Sequence, residues 1–245
     1  MLAVAGMSDP VSSMTHLAGA LACATRAGAL LRSGRGSGAR LLSLGLFAFC
    51  CVLLLALSGA YHLLAPDTAA KALLKRLDHA AIFMLIAASF TPVHAILFRG
   101  AWRWGMLAGI WSAAGAGLIV KTAYFDVMPE WVGLSMYLGL GWLGVISAVA
   151  LARRYGLRFI QPVLWGALAY TAGALAEFHR WPLLVPGFVG PHEVLHLAVL
   201  AGIACHWVFI ARIAASGKSG PGWIRTNDQG IIRESRPVLD SKPQH

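Results

Sequence analysis

The chain has 245 residues and a formal net charge of +10, yet only 12% of its residues are charged and 58% are hydrophobic. That charged fraction is about half that of an ordinary globular domain, so a water-exposed surface could not be covered with charge. Stretches of roughly 18 or more apolar residues recur, and each is long enough to cross a hydrocarbon core of about 30 Å. The composition therefore excludes a soluble domain and predicts a membrane protein.

The positive charge is typical of a membrane protein. Lys and Arg lie in short gaps between apolar runs and in the C-terminal segment, where anionic headgroups and the positive-inside rule place them. No basic stripe lies on a soluble fold, so no nucleic-acid partner is predicted. The four cysteines lie in apolar segments without CxxC spacing, as buried small side chains do. Membrane lipids are the predicted partners, and the oligomeric state stays open.

The apolar windows predict seven transmembrane helices, at residues 11–31, 41–64, 79–98, 104–121, 131–151, 158–176 and 192–213. The gaps between them are short, which makes neighbouring helices antiparallel. We therefore expect an all-α polytopic integral membrane protein, an up-down bundle of seven helices within residues 1–213. Residues 214–245 are polar and are predicted to form a disordered tail.

Histidines and acids in or beside membrane spans are costly and indicate function. His192 and His196 are four residues apart, so both imidazoles lie on one helix face, as two ligands of one metal ion do. With Glu193 they form HEVLH, which matches the HExxH signature of zinc metalloproteases, where the Glu is the general base. Glu193 lies about 100° around the helix from His192, so it can also face headgroups or a loop.

The parity of the spans brings a third histidine to this pair. If every span crosses the membrane, the end of span two and the starts of spans three and seven lie on one side, which places His62 and Asp78 with His192 and His196. Three His ligands with one open position are the arrangement of a catalytic zinc, whereas a structural zinc has four protein ligands, often thiolates. The predicted cofactor is Zn²⁺, with ligands His62, His192 and His196.

Asp78 and Ser58 are the candidate catalytic residues. Asp78 can accept the proton of a metal-bound water, and Ser58, one turn before His62, can hydrogen-bond that water or a substrate carbonyl. Simpler explanations exist for both, since Asp is favoured as a helix N-cap and Ser often packs between helices. The remaining histidines near the spans with no evident partner are interpreted as packing or helix-contact residues: His16, His79, His94 and His206.

The same residues resemble the motifs of a known family. SGAYH at residues 58–62, LDHA at 77–80 followed by ASFTP at 88–92, and the final HExxH are similar to those of the hemolysin III family. That family is the bacterial branch of the progestin and adipoQ receptor family, which includes the adiponectin receptors. The resemblance covers about residues 10–213. It implies a seven-helix protein of the bacterial plasma membrane, with zinc held by three histidines beside Ser58 and Asp78.

The resemblance also implies functions. The wider superfamily includes alkaline ceramidases and is viewed as metal-dependent hydrolases of lipid amides, and its bacterial members are connected with cytolysis and membrane lipid homeostasis. The leading hypothesis is a zinc-dependent hydrolase of lipid amides or esters. A cytolysin or membrane-state sensor with structural zinc is the alternative. An intramembrane metalloprotease is disfavoured, because HExxH lies on the last span and no later helix supplies an acidic ligand.

The orientation in the membrane stays open. Five Lys and Arg residues lie in the gaps on the N-terminal side and eight on the other, which favours an external N-terminus. Adiponectin receptors have the opposite arrangement, with the N-terminus and zinc on the cytoplasmic side.

Overall fold

The computed structural model describes residues 9–185 and 189–216, together with the backbone of residues 225–226 and 232–233. In these residues it contains eight helices: α1 Pro10–Gly34, α2 Gly38–Leu63, α3 Ala69–Leu97, α4 Gly100–Ala123, α5 Glu130–Trp142, α6 Gly144–Tyr155, α7 Leu157–His179 and α8 Pro191–Ala215. Two short antiparallel strands follow, β1 Arg225–Thr226 and β2 Ile232–Arg233. The rest of the predicted tail, and with it the prediction of disorder, lies outside the described residues.

The helices form seven membrane-length segments. Helices α5 and α6 meet at Leu143, whose backbone keeps right-handed helical angles, and together they form one span, Glu130–Tyr155. Six segments of the described chain are long and apolar enough to cross a membrane. Helix α1 has 25 residues but carries Ser, Thr, His and Arg side chains and is less apolar. The predicted all-α polytopic fold is confirmed, with α1 as its least apolar member.

Helix α3 begins ten residues earlier than its predicted span, at Ala69. Thr68 caps it by accepting a hydrogen bond from the backbone N–H of Lys71, at 3.2 Å. Residues 69–77 are good helix formers but include three cations, so a search for apolar residues misses them. Asp78 therefore lies inside the helix, and the alternative that it is an N-cap is wrong.

The start of α1 is fixed beside the end of α2. Gly59 allows the two helices to approach closely, because a Cβ at this position would lie 2.7 Å from the Leu17 side chain. Ser13 Oγ donates to the Gly59 carbonyl at 2.9 Å, and the Asp9 N–H donates to the His62 carbonyl at 3.3 Å. The main apolar core continues from this contact between α1, α2, α3 and α8. The first helix is thereby held against the histidine-bearing end of α2.

Charged side chains are distributed unequally between the two ends of the bundle. The carboxylates of the described residues all lie at the end where α1 begins: Asp9, Asp67, Asp78, Asp126, Glu130, Glu177 and Glu193. The opposite end has arginines and, within the described chain, no carboxylate: Arg32, Arg35, Arg40, Arg99, Arg103, Arg153, Arg154, Arg158 and Arg212. Lys and Arg of short loops orient membrane proteins with the richer end in the cytoplasm. The charges therefore favour an external N-terminus.

We expect the end of α8 to face the cytoplasm. Green fluorescent protein fused behind the full chain should fluoresce, and alkaline phosphatase at the same position should be inactive. Alkaline phosphatase inserted between α4 and α5, at residues 124–129, should be active. An active phosphatase at the C-terminus together with an inactive one in that loop would reverse the orientation.

Candidate metal centre

His62, His192 and His196 come together where α2 ends and α8 begins. Their ligand nitrogens all lie within 4.8 Å of one another. His192 Nε2 and His196 Nε2 are 3.0 Å apart, a spacing possible for two ligands that each lie about 2.0–2.1 Å from one ion. His62 and His196 are buried, and His192 is partly exposed. The group can hold a metal ion.

Two of these rings have a carboxylate beside their other nitrogen, within hydrogen-bond distance for His62 and within ion-pair distance for His192. His62 Nδ1 donates to Asp9 Oδ2 at 2.9 Å, and this hydrogen bond lowers the pKa of the Asp9 carboxyl below its ordinary value. His192 Nδ1 lies 3.7 Å from Glu177 Oε1, at the end of α7. Metal-binding histidines are commonly oriented by a carboxylate or carbonyl on the second ring nitrogen. The arrangement leaves Nε2 of both rings for the common centre.

His196 is held by another histidine. His196 Nδ1 lies 3.0 Å from Nε2 and 3.3 Å from Nδ1 of the buried His16. His16 Nε2 is also 3.3 Å from the His196 carbonyl oxygen, which only accepts, so the Nε2–H donates to that carbonyl and His16 Nδ1 is the acceptor. When His196 Nδ1–H donates to His16, His196 Nε2 is unprotonated and available to a metal. The sequence interpretation of His16 as a packing residue missed this contact. Asp9 was also missed, and only its position just before α1 could have suggested it.

Asp78 and Ser58 lie in the same cavity as the three histidines. Both are buried, and the Ser58 hydroxyl lies near enough to the Asp78 carboxylate to act on it as a hydrogen-bond donor. Asp78 comes from the third turn of α3 and Ser58 from the turn of α2 that precedes His62. The structure thus brings together all five residues selected from the sequence.

Glu193, the general base that the HExxH pattern would assign, has a different contact. Its Oε2 accepts a hydrogen bond from the Gly190 N–H at 2.8 Å, which caps the start of α8. The side chain is buried and is absent from the described cavity lining. The carboxylates that line the described cavity are instead Asp78, Glu130 and Glu177. Glu130 is bound by Arg180 and Glu177 contacts His192, whereas Asp78 forms no ion pair among the described residues.

The cavity has a volume of about 750 Å³ and extends from the histidines along the bundle. That volume is within the usual range for small-molecule sites, about 300–1,000 Å³. Between its ends the lining is mainly apolar, with Leu85, Phe90 and Ile203 among its side chains. The far end contains His94, whose Nε2 lies 2.9 Å from Ser147 Oγ of α6, so His94 does make a helix contact. One end of the cavity is polar and its long middle is apolar.

The fold and site define a polytopic membrane protein with a buried three-histidine centre. A family model described as Haemolysin-III related matches residues 7–207, and the chain belongs to that family. It is 33% identical to Hemolysin-3 of Bacillus cereus over 128 residues, which are 52% of this chain and 55% of that protein. The match thus spans about half of that relative's length.

Two further relatives match more of their own length. Identity is 28% over 171 residues with the Hemolysin-3 homolog of Bacillus subtilis (strain 168), covering 69% of this chain and 76% of that protein. The chain is also 32% identical over 173 residues to Heptahelical transmembrane protein ADIPOR2 of Oryza sativa subsp. japonica. That match covers 64% of this chain and 75% of the rice protein. The predicted family is confirmed. This family, together with six described segments that are long and apolar enough to cross a membrane, makes the chain an integral membrane protein. The two Bacillus relatives indicate the bacterial plasma membrane.

We expect one bound metal ion per chain. His192→Ala and His196→Ala should each lose it, because two histidines cannot close the site; inductively coupled plasma mass spectrometry of detergent-purified protein measures the content. His79→Ala is the matched control, since His79 Nδ1 contacts the Lys75 carbonyl at 2.7 Å and lies outside the metal-ligand group. Less than about half an ion per wild-type chain, loaded with excess metal, would contradict a metal centre.

We also expect His16→Ala and Asp9→Ala to lower metal affinity by about 10–100-fold each, the usual effect of removing a group that orients a metal-binding histidine. Competition with a chelator of known affinity measures this. Ser12→Ala is the control on the same helix, because Ser12 Oγ has no hydrogen-bond partner among the described residues. Unchanged affinity in His16→Ala would restore the packing interpretation of His16.

Proposed function

We propose that this protein is a zinc-dependent membrane hydrolase of lipid amides or esters, acting in membrane lipid homeostasis. The proposal is carried by one observation: a buried group of three histidines opens into a mainly apolar cavity in which Asp78 lies beside it. Membrane lipids are the proposed source of its substrate. An active site that shares a cavity with apolar surface suits an amphiphile whose polar group reacts while its chain stays out of water.

The three histidine ligands are those expected of a zinc ion in a catalytic role. Three imidazoles converge on one centre, and the residues that the structure describes add no fourth protein ligand, whereas structural zinc sites have four, often thiolates. None of the cysteines belongs to the group of possible ligands found in the described residues. Zinc held by His62, His192 and His196 would supply a Lewis acid for the carbonyl oxygen and activate water as a nucleophile.

The proton transfers fall to Asp78. As the oxygen of water bonds to the carbonyl carbon, the Asp78 carboxylate takes a proton from that water. Asp78 then returns the proton to the nitrogen or oxygen of the leaving group as its bond to the carbonyl carbon breaks. While Asp78 is a carboxylate, the Ser58 O–H can donate to it and hold it in place. Once Asp78 has taken the proton from water it no longer needs that donor, and the Ser58 O–H can turn to the developing oxyanion.

A non-enzymatic cytolysin or membrane-state sensor is the second candidate, because two relatives are named for haemolysis. In that case the metal would only join α2 to α8. The two candidates differ in what they require of Asp78, which is not one of the metal-ligand residues of the described chain.

We expect Asp78→Asn to lower hydrolysis of its lipid substrate at least about 100-fold while the metal stays bound, since general acid–base catalysis contributes about 10²–10⁴-fold. The measurement is product release from a panel of short-chain ceramides and lipid esters, with metal content determined on the same sample. Glu193→Gln is the control, because glutamine can also accept the hydrogen bond that caps α8.

Two outcomes would contradict the hydrolase. The first is no turnover of any lipid amide or ester by fully zinc-loaded wild-type protein. The second is equal turnover by wild type and Asp78→Asn. A cytolytic phenotype that persists in Asp78→Asn cells would favour the second candidate.

A further inference from the structure

A pair of lysines lies at the same end of the cavity as the histidines. Lys75 of α3 and Lys121 of the last turn of α4 both line the cavity, and we call them the lysine pair. Both ammonium groups approach the ring of Phe125, with Nζ to centroid distances of 5.9 Å for Lys75 and 5.0 Å for Lys121. Lys75 is exposed, whereas Lys121 is only 6% exposed. A buried cation therefore faces the cavity.

Neighbouring cations have carboxylate partners, but the lysine pair does not. Arg76 pairs with Asp126 at 2.5 Å, and Arg180 pairs with Glu130 at 2.6 Å. Within the described ranges, no carboxylate oxygen lies within ion-pair distance of either ammonium group of the lysine pair. The carboxylate whose charge acts on Lys121, that of Glu130, is already bound by Arg180. Neither ammonium group of the pair is therefore neutralised by an ion pair among the described residues, although the carboxylates of Asp78, Glu130 and Glu177 line the same cavity.

The surroundings of Lys121 leave room for its ammonium group. Gly133 of α5 lies opposite, and a Cβ there would be 3.3 Å from Lys121 Nζ, closer than side chains normally approach. The Phe125 ring supplies a cation–π contact, which offsets only part of the cost of removing an ammonium group from water. A buried charge is normally paired, so an anion that enters the cavity would complete this site.

We propose that the lysine pair binds the anionic headgroup of a lipid whose acyl chain lies in the apolar part of the same cavity. A lipid is favoured over a free phosphate ion because the wall beyond the lysines is apolar, with Leu134 and Leu138 among its side chains. This deepens the proposed function, on which it rests for the identity of a substrate, by making the substrate an anionic amphiphile. Binding itself does not require turnover.

The test compares phosphatidylglycerol with phosphatidylcholine of the same acyl chains. Native mass spectrometry of the full zinc-loaded chain in a neutral detergent gives the fraction that carries one lipid at each lipid concentration. We expect phosphatidylglycerol to bind about thirtyfold more tightly, since each lysine close to an anionic headgroup contributes roughly a factor of five.

Three lysine variants assign that preference to the pair. Lys121→Met and Lys75→Met should each reduce the preference about fivefold, and Lys121→Arg should keep it. Lys71→Met is the matched control at the same end of the bundle, because Lys71 Nζ donates to the Leu64 carbonyl at 3.0 Å and the described cavity lining does not include it. Lys75 is exposed, so its variant remains informative if Lys121→Met fails to fold.

Several results would overturn the proposal. These are equal binding of the two lipids by wild type, an equal loss of preference in Lys71→Met, and full displacement of phosphatidylglycerol by an equal concentration of inorganic phosphate. The preference should persist in His192→Ala, which lacks a metal ligand. Absent turnover with an intact preference would therefore contradict the hydrolase alone, and turnover without preference would contradict the lysine pair alone.

Discussion

The three-histidine centre depends on which nitrogen of each imidazole carries the proton and which is left to bind a metal ion. An imidazole binds a metal through one nitrogen only when the other nitrogen carries the proton, and a buried N–H needs an acceptor. The start of α1, which contributes none of the three histidines, supplies these acceptors for the two buried rings: Asp9 for His62 and His16 for His196. The partly exposed His192 has Glu177, near the end of α7, within ion-pair distance. The metal-binding geometry of α2 and α8 is thus set by their neighbours.

This dependence explains why a helix of moderate hydropathy is part of the bundle. Helix α1 carries polar side chains that lipid disfavours, but Ser13 and His16 are buried against α2 and α8, where each finds a partner. The glycine at position 59 makes that approach possible. Polar residues inside a membrane bundle are tolerated where they face other helices and are paired. The polar residues of α1 therefore require this helix to pack closely against α2 and α8, where they are paired.

Much of the centre follows from the sequence, because it depends on two simple periodicities. The helical repeat places His192 and His196 on one face, and the alternation of spans brings His62 and Asp78 to the same membrane side. Asp9 and His16 could not be found in this way. Their roles arise from packing between helices whose contacts are distant in sequence, and no local pattern specifies which buried ring lies against which.

The boundaries of α3 show a second limit of the sequence pattern. A window that seeks apolar residues finds only the part of a helix that crosses lipid, whereas α3 continues through three cations to Ala69. The helical extension places Asp78 inside a rigid element and Lys75 one turn before it, so both face the same cavity. Hydropathy measures where lipid lies, and the hydrogen-bonded helix extends beyond it.

The HExxH string shows that a motif does not assign a role by itself. In this chain Glu193 closes the first turn of α8 through the Gly190 N–H, and that bond directs its carboxylate to the backbone. Its contribution is to hold the turn from which His192 and His196 project. Carboxylates from other helices line the cavity instead, and of these Asp78 is the one that forms no ion pair among the described residues. In the proposed hydrolase, the base is therefore the cavity carboxylate that forms no ion pair among the described residues, and not the Glu of the motif.

The depth of the three histidines in the membrane determines which bonds of a lipid they can reach. His62 is the penultimate residue of α2 and His192 the second residue of α8, so the histidines lie near the end of the membrane-spanning segments. The boundary between headgroups and hydrocarbon is where the amide or ester carbonyl of a lipid lies. A lipid whose chain enters the apolar part of the cavity from that boundary would bring its carbonyl to the histidines and its headgroup towards the lysines. The acyl chain of such a lipid would stay in apolar surroundings, and its headgroup would stay at the membrane surface, as both do in the bilayer.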